Sequence, residues 1–449
     1  MLVLKRGVVK NFVNCISAYK EAFMAKARII LPVVLLGVLL VVFLSIGIPP
    51  AHAQQTEPAT QAAPATQAEP ATKSAPAEAQ VTQQIASALS SIKLNYAFQL
   101  YGQWRDTGSG PNGTDNTSDV YFKRNRLMMS GQLDDVYGFY AAVQFQGDER
   151  IFPETVSSTP QKNFDIIDTF LTADYTDAFR LRAGLTKDPL IREDNESCFE
   201  PLSVDRSYFV YTNLPRLNRD FGVVLWGNLA DALFQYRVAA MKGNDDINDP
   251  KSSMRYTARV HVSLLDPEYS LVYKGTYLGK KKVLTIGAGY QLESDAVYGN
   301  VAGKDMTKDY KAYTYDVFFE YPTPAGTFTV SGAYLKEDFD SAYKGADPDP
   351  RSIGINGEKS GWYAKAGYML PGKIGTGELQ FFGRYEKWKF AELSGIFDQE
   401  IKWSALGINY FLKGQDLRLT LEYSLNDFEK EDTANKDFKT ATVMLQFRI

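Results

Sequence analysis

Residues Val120 to Asp148 read VYFKRNRLMMSGQLDDVYGFYAAVQFQGD. In the second half, Phe139, Ala141, Val143 and Phe145 alternate with Tyr140, Ala142, Gln144 and Gln146. Successive side chains of a strand point to opposite faces, so one face is apolar and the other polar. In the first half, Leu127, Met129 and Leu133 fall on one parity, and Arg124, Arg126, Ser130 and Gln132 on the other. Asp134 to Gly138 lies between them and is short enough for a hairpin turn. A soluble sandwich turns its apolar face inward. Here the alternation is read the other way, with the apolar face toward lipid and the polar face toward a water-filled lumen.

The same alternation recurs along the rest of the chain. Ile92, Leu94, Tyr96, Phe98, Leu100 and Trp104 open it, against Lys93, Asn95, Gln99, Gln103 and Arg105. Further segments fall at 164–175, 179–187, 221–229, 232–242, 254–264, 282–292, 311–321, 326–336, 360–370, 376–388, 401–412, 416–426 and 438–449. Each is about long enough to cross the hydrocarbon layer as a tilted strand. Short connections alternate with long ones from both ends of the chain, and the two phases meet around 265–281. A strand at 268–277 would break the phase, so that stretch reads as a longer periplasmic connection. The expectation is an all-β fold, a transmembrane antiparallel β-barrel of sixteen strands, with eighteen as the alternative. No water inside a bilayer can satisfy backbone groups, so such a sheet must close. The last segment carries Phe447 and ends at Ile449, which suits a closing strand.

Composition agrees. The 449 residues include 27 Tyr and 27 Phe, as interfacial aromatic girdles require. Formal charge is −4; the first 53 residues contribute about +5 and the remainder about −9, which argues against nucleic-acid binding. Cys15 and Cys198 cannot make a disulfide framework. His52 and His261 leave little for metal or acid–base chemistry. The chain has no Gly-rich phosphate loop, G-x-S-x-G, H-E-x-x-H or haem-attachment motif, so no cofactor and no catalysis are expected.

Residues 1–53 read as a signal peptide. Lys26 and Arg28 precede the apolar run 29–48, and Ala51-His52-Ala53 forms a small-x-small cleavage site. Met24 is the expected true start. Residues 54–91 form an Ala/Pro/Thr/Gln-rich linker, which should be disordered because it has too little apolar surface to offset chain ordering. A short periplasmic helix is expected at its end, over 81–91. The barrel then occupies 92–449.

Parity places Arg124, Arg126, Arg180, Arg182, Arg237, Arg255 and Arg259 in the lumen of the first half-barrel. Such a basic wall attracts anions, or else pairs with lumen carboxylates to hold the barrel's shape. The second half mixes Lys365, Arg384, Arg418 and Arg448 with Asp316, Glu320, Glu386 and Glu422, which implies a field across the pore. The long connection 188–220 is the candidate constriction loop, with Arg206, Arg216 and Arg219 facing the pore. Cys198 is expected to be an unpaired or buried thiol.

Several stretches resemble the phosphate-selective porin O and P family. They are the hairpin YFKRNRLMMSGQLDDVYGFYAAVQFQGD, FRLRAGLTKDPLIRED at 179–194, FEPLSVDRSYFVYTNLPRLNRDFGVVLWGNL at 199–229 and LGINYFLKGQDLRLTLEYS at 406–424. The resemblance implies a sixteen-stranded porin of the Gram-negative outer membrane. It also implies contact with outer-membrane lipid, a homotrimer, and passage of small anions such as phosphate or other oxyanions. The segment 188–220 carries more acids than arginines, which weighs against a strong phosphate site. The alternative reading is a barrel that sheathes a multihaem cytochrome partner in an electron conduit.

Overall fold

The computed structural model describes residues 92–106, 116–147, 162–207, 209–210, 219–243, 249–251, 253–432 and 435–449. The expected signal peptide, the linker with its short helix, and Arg216 lie outside the described residues.

The first eight strands are β1 (Lys93–Arg105), β2 (Thr117–Gln132), β3 (Tyr137–Gly147), β4 (Lys162–Thr176), β5 (Phe179–Lys187), β6 (Arg219–Leu229), β7 (Phe234–Met241) and β8 (Arg255–Ser263). The second eight are β9 (Val283–Asn300), β10 (Asp305–Thr323), β11 (Gly326–Asp338), β12 (Lys359–Met369), β13 (Glu378–Leu393), β14 (Ile396–Lys413), β15 (Leu417–Phe428) and β16 (Phe438–Arg448). They pair antiparallel in sequence order, and β1 pairs with β16 to close a sixteen-stranded barrel. Tyr96 and Ile449 exchange both backbone hydrogen bonds at the seam, each 2.9 Å.

The strands β5 to β8 are membrane-length, at 8 to 11 residues, whereas β9, β10 and β14 run to 18 or 19. The alternating segments 282–292 and 311–321, and 376–388 and 401–412, leave 293–310 and 389–400 as expected outer loops, and this the structure corrects. Residues 293–310 and 389–400 are mostly strand, because pairing continues above the membrane and ends in tight hairpins. Ser394 (φ 52°) and Gly395 (φ 83°) make one of these turns, the left-handed pair that matches strand twist in a two-residue hairpin.

Side-chain parity follows the sequence. On β8, Tyr256 and Val260 are exposed while Arg255, Thr257, Arg259 and His261 are buried. A bulge opposite Gln99 and Leu100 shifts the register of β2, and both Lys123 and Arg124 are buried. Simple alternation admits only one of them. At the end with short turns, the outer surface carries Tyr137, Tyr175, Phe179, Tyr321 and Phe328. Toward the other end it carries Tyr290, Tyr313, Tyr334, Trp362 and Tyr385. On β10, Tyr313 and Tyr321 are roughly 27 Å apart along a tilted strand, the scale of an apolar membrane band about 25 Å tall.

Candidate lumen constriction and vestibule

Two connections fold into the lumen from opposite ends. The first is the described part of the β5–β6 connection, 188–207 with 209–210, where Leu190, Arg192, Asp205 and Phe209 are buried. The second is 264–282, the stretch without a strand between β8 and β9. It is a connection at the turn end, but it does not stay outside: Glu268, Leu271, Tyr273 and Thr276 are buried. The two segments meet through a parallel bridge between Glu196 and Tyr273. Tyr273 N donates to Asn195 O at 3.1 Å, and Ser197 N donates to Tyr273 O at 2.9 Å.

A buried ion pair locks this junction. Arg192 sits on a single helical turn, Arg192–Asn195. Its Nη1 and Nη2 donate to the two oxygens of Glu268 at 2.6 and 2.8 Å. Tyr277 Oη and Thr285 Oγ1 add their hydrogens to the same carboxylate, each at 2.6 Å. The guanidinium lies over the rings of Phe318 (4.0 Å) and Tyr273 (4.5 Å). Burial opposes charge on Glu268, but Arg192 outweighs it and holds the carboxyl down at about 2. A bidentate pair whose carboxylate takes two further donors is the arrangement that offsets desolvation.

Three acids of 188–207 anchor the segment to the barrel wall. Asp205 pairs with Arg124 of β2 at 2.9 Å, and Glu193 pairs with Lys365 of β12. Asp188 accepts from Thr257 Oγ1 (2.7 Å) and Gln291 Nε2 (2.6 Å). Burial pushes the Asp188 carboxyl up to about 6. Burial, with repulsion from Glu193, lifts Glu196 to about 8. Cys198 is buried and free, and accepts from Arg126 Nη1 at 3.1 Å. Burial alone would raise its pKa, yet Arg206, Arg126, Lys187 and Arg124 together pull it well below the thiol range.

Past the acids, Phe209 inserts among Trp388, Phe390 and Trp403, with ring centroids 5.8, 5.5 and 6.1 Å away. With Leu190, Ile191, Tyr310 and Leu335 these rings form an apolar core inside the barrel at its loop end. Parity alone gives no warning of it, since Trp388 and Phe390 share the inward parity of Arg384 and Glu386.

The named arginines therefore fall into groups. Arg255 pairs with Glu293 (2.7 Å), Arg259 with Asp316 (2.6 Å) and Arg219 with Asp168 (3.1 Å). Arg206 donates Nη1 to the carbonyls of Asp194 (3.0 Å) and Glu196 (3.4 Å), so it braces its own loop. Arg126 donates Nε to Gln144 Oε1 at 2.7 Å. Arg237 bonds Gln235 Oε1 at 2.9 and 2.7 Å and lies over Tyr273 at 4.1 Å, with its Nη1 unpartnered. Arg182 lies over Phe170 at 4.6 Å and is half-buried. Arg180 is half-buried too, bonded to Asp177 at 2.7 Å over Trp226.

Below the junction the lumen opens as a vestibule of about 970 Å³. Glu200 and Glu268 reach its wall, and Lys274, Lys280, Lys281, Lys373, Lys413 and Arg448 surround it together with Glu378 and Asp416. On the other side of the constriction a cleft of about 30 Å³ lies beside Lys123, Asp205, Arg384 and Glu422. Sequence reasoning missed the inserted 264–282 segment. Its signal was Glu268 and Tyr273 within a stretch of strand-like alternation that the connection phase excluded.

The family model for phosphate-selective porin O and P matches residues 98–449. The chain belongs to that family. This places it in the outer membrane of a Gram-negative bacterium as a porin. A protein of Aquifex aeolicus (strain VF5), described as uncharacterized, is 23% identical over 397 residues, covering 82% of this chain and 90% of its own. The anion-selective porin of Comamonas acidovorans has the same fold with a TM-score of 0.51 at 12% identity, over 80% of this chain and 99% of its own. Pseudomonas putida OprB, in a high-pH structure, gives 0.52 at 12% identity, over 83% and 97%.

Proposed function

We propose that this porin is a diffusion channel for small anionic solutes, with phosphate or another oxyanion as cargo, and that it works as a homotrimer. One observation carries the reading. Where the lumen is open to water, cations exceed acids: six Lys and Arg surround the vestibule against Glu200, Glu268, Glu378 and Asp416. Arg180 and Arg182 stay half-buried on the adjoining wall. Low-dielectric walls focus such a field and raise the local concentration of counter-ions. Deeper in the same wall, half-buried Arg182 and buried Arg237 have hydrogen-bond or ring partners but no carboxylate within pairing distance, so their charge adds to the field of the lumen.

Liposome swelling with the full chain tests the proposal. Vesicles are challenged with organic anions and organic cations of matched size. Faster entry of the anions, slowed by Arg182→Gln with Arg237→Gln, supports it. Equal rates, or faster entry of the cations, contradict it. Cross-linking in detergent tests the trimer.

A further inference from the structure

The vestibule combines two features that passage of inorganic phosphate does not use together. The first is apolar. Along the inserted segment Leu271 and Tyr273 are buried, while Val272 between them stays exposed to the vestibule, as does Tyr269. Leu278 lines the same space. It does so from a left-handed backbone conformation, φ 55°, followed by Gly279 at φ 71°. That region is strained for a residue with a Cβ, and such strain persists only where the surroundings impose it. Here Glu320 of β10 imposes it. Its carboxylate accepts from Thr276 Oγ1 (2.9 Å), Tyr277 N (2.9 Å) and Gly279 N (2.8 Å), and Leu278 N donates to Thr276 Oγ1 at 3.1 Å. The turn thereby holds an apolar side chain out to the vestibule. Leu278 Cδ1 lies 3.8 Å from the point where a Cβ would stand on Gly414. Glycine or asparagine would take that backbone with less strain and leave the wall without its apolar surface.

The second feature is charge without partners. Lys280 follows the same turn, Lys373 lies in the connection between β12 and β13, and Lys413 ends β14 beside Gly414. All three are exposed at the vestibule, and none has a carboxylate within pairing distance among the described residues. Lys274 and Arg448 differ, being paired with Glu200 at 3.0 Å and Asp416 at 2.9 Å. Lys281 differs too: its Nζ donates to Pro267 O at 3.0 Å and lies over the rings of Tyr277 and Tyr269.

A hydrated inorganic oxyanion gains nothing from an apolar wall. An organic anion can lay its body against that wall and keep its charge beside the ammonium groups. We propose that the vestibule is a binding subsite for small carboxylates with an apolar body, arylcarboxylates in type. The carboxylate sits among Lys280, Lys373 and Lys413, and the ring lies against Val272, Leu278 and Tyr269. Lysines act as point charges and impose no bidentate geometry, so preference among anions falls to the apolar wall. The inference rests on the anion-channel reading above and narrows its cargo.

The test uses the full chain in a planar bilayer. Sodium benzoate or sodium acetate is added at constant ionic strength on the side of the short turns, and block of the chloride current is read. Benzoate is expected to bind about tenfold more tightly than acetate, since its ring removes from water an apolar area that acetate lacks. Leu278→Asn tolerates the left-handed backbone and makes the wall polar. It should bring benzoate to within about threefold of acetate and leave acetate block as it was. Lys373→Gln with Lys413→Gln should weaken both anions alike. Circular dichroism reports that each variant has folded, and Val272→Ser takes the place of Leu278→Asn should the latter not fold. The reversal potential in a potassium chloride gradient separates this inference from the reading beneath it. Anion preference with equal block by the two probes, or a benzoate preference unchanged in the folded variant, overturns the subsite alone. Cation preference overturns the channel reading and the subsite with it.

Discussion

The two half-barrels use their buried lumen charges differently. Across β1 to β8 the buried cations are Lys123, Arg124, Arg126, Arg219, Arg237, Arg255 and Arg259, while Asp220 is the buried acid among the described residues. Across β9 to β15 the balance turns over: Glu293, Asp316, Glu320, Glu337, Glu386, Glu392 and Glu422 outnumber Lys359, Lys365, Arg384 and Arg418. A large share of the two sets meet. Arg259 of β8 reaches Asp316 of β10, and Arg255 of β8 reaches Glu293 of β9. The inserted loop carries acids to the basic side through Asp205 and an acid to the far side through Glu193. Net lumen charge is therefore a poor guide to selectivity. What matters is which cations keep access to water or lack a carboxylate partner: those around the vestibule, Arg180, Arg182 and Arg237.

The largest expected effect comes from unlocking the segments between the halves. Glu268→Ala strands Arg192 in the interior, and breaking a buried pair by removing one partner costs about 3–5 kcal/mol. Segment 264–282 should then leave the lumen. Single-channel conductance should rise and the thermal unfolding temperature should fall; unchanged conductance would show that the junction does not set the constriction. A smaller effect is expected on the basic side. Arg182→Gln with Arg237→Gln should cut the chloride-over-potassium permeability ratio roughly fivefold, the equivalent of about 1 kcal/mol of Coulomb energy in water at 4 Å. The acidic side gives the opposite sign. Glu422→Gln removes the nearer acid partner of Arg384, at 3.4 Å, while Glu386 stays at 3.8 Å, and should raise the same ratio by about twofold, less because that pair faces the small cleft.

The smallest effect is a pH dependence. Glu196 titrates at about 8, raised by burial and by Glu193, against the pull of Arg192, Lys365 and Arg206. It is uncharged at pH 6.5 and ionises as the pH passes 8. Anion preference should therefore decline modestly between pH 6.5 and 9, and Glu196→Gln should flatten the profile. An equal decline in the variant would assign the titration elsewhere.

Strand number, phase and closure are legible because a two-residue period is a local signal, repeated sixteen times. The lumen positions of Arg124, Arg237, Arg255 and Arg259 follow from the same period. Their partners do not. Asp205 lies 81 residues from Arg124, and Glu268 lies 76 from Arg192, so nothing local announces either pair. Lys123 escaped because a bulge suspends alternation for one residue. The 264–282 segment was rightly denied a strand by connection phase, but phase says only which end a connection leaves from. Whether it turns inward depends on what waits in the lumen, here Arg192, Arg237 and Arg259 around Tyr273.

The most direct test of anion preference is the reversal potential of the refolded full chain in a planar bilayer under a potassium chloride gradient. The account predicts a potential displaced toward the chloride equilibrium value, with the displacement reduced in the Arg182→Gln, Arg237→Gln variant. A potential displaced toward the potassium equilibrium value would mean that the acidic half sets the field, and would contradict it.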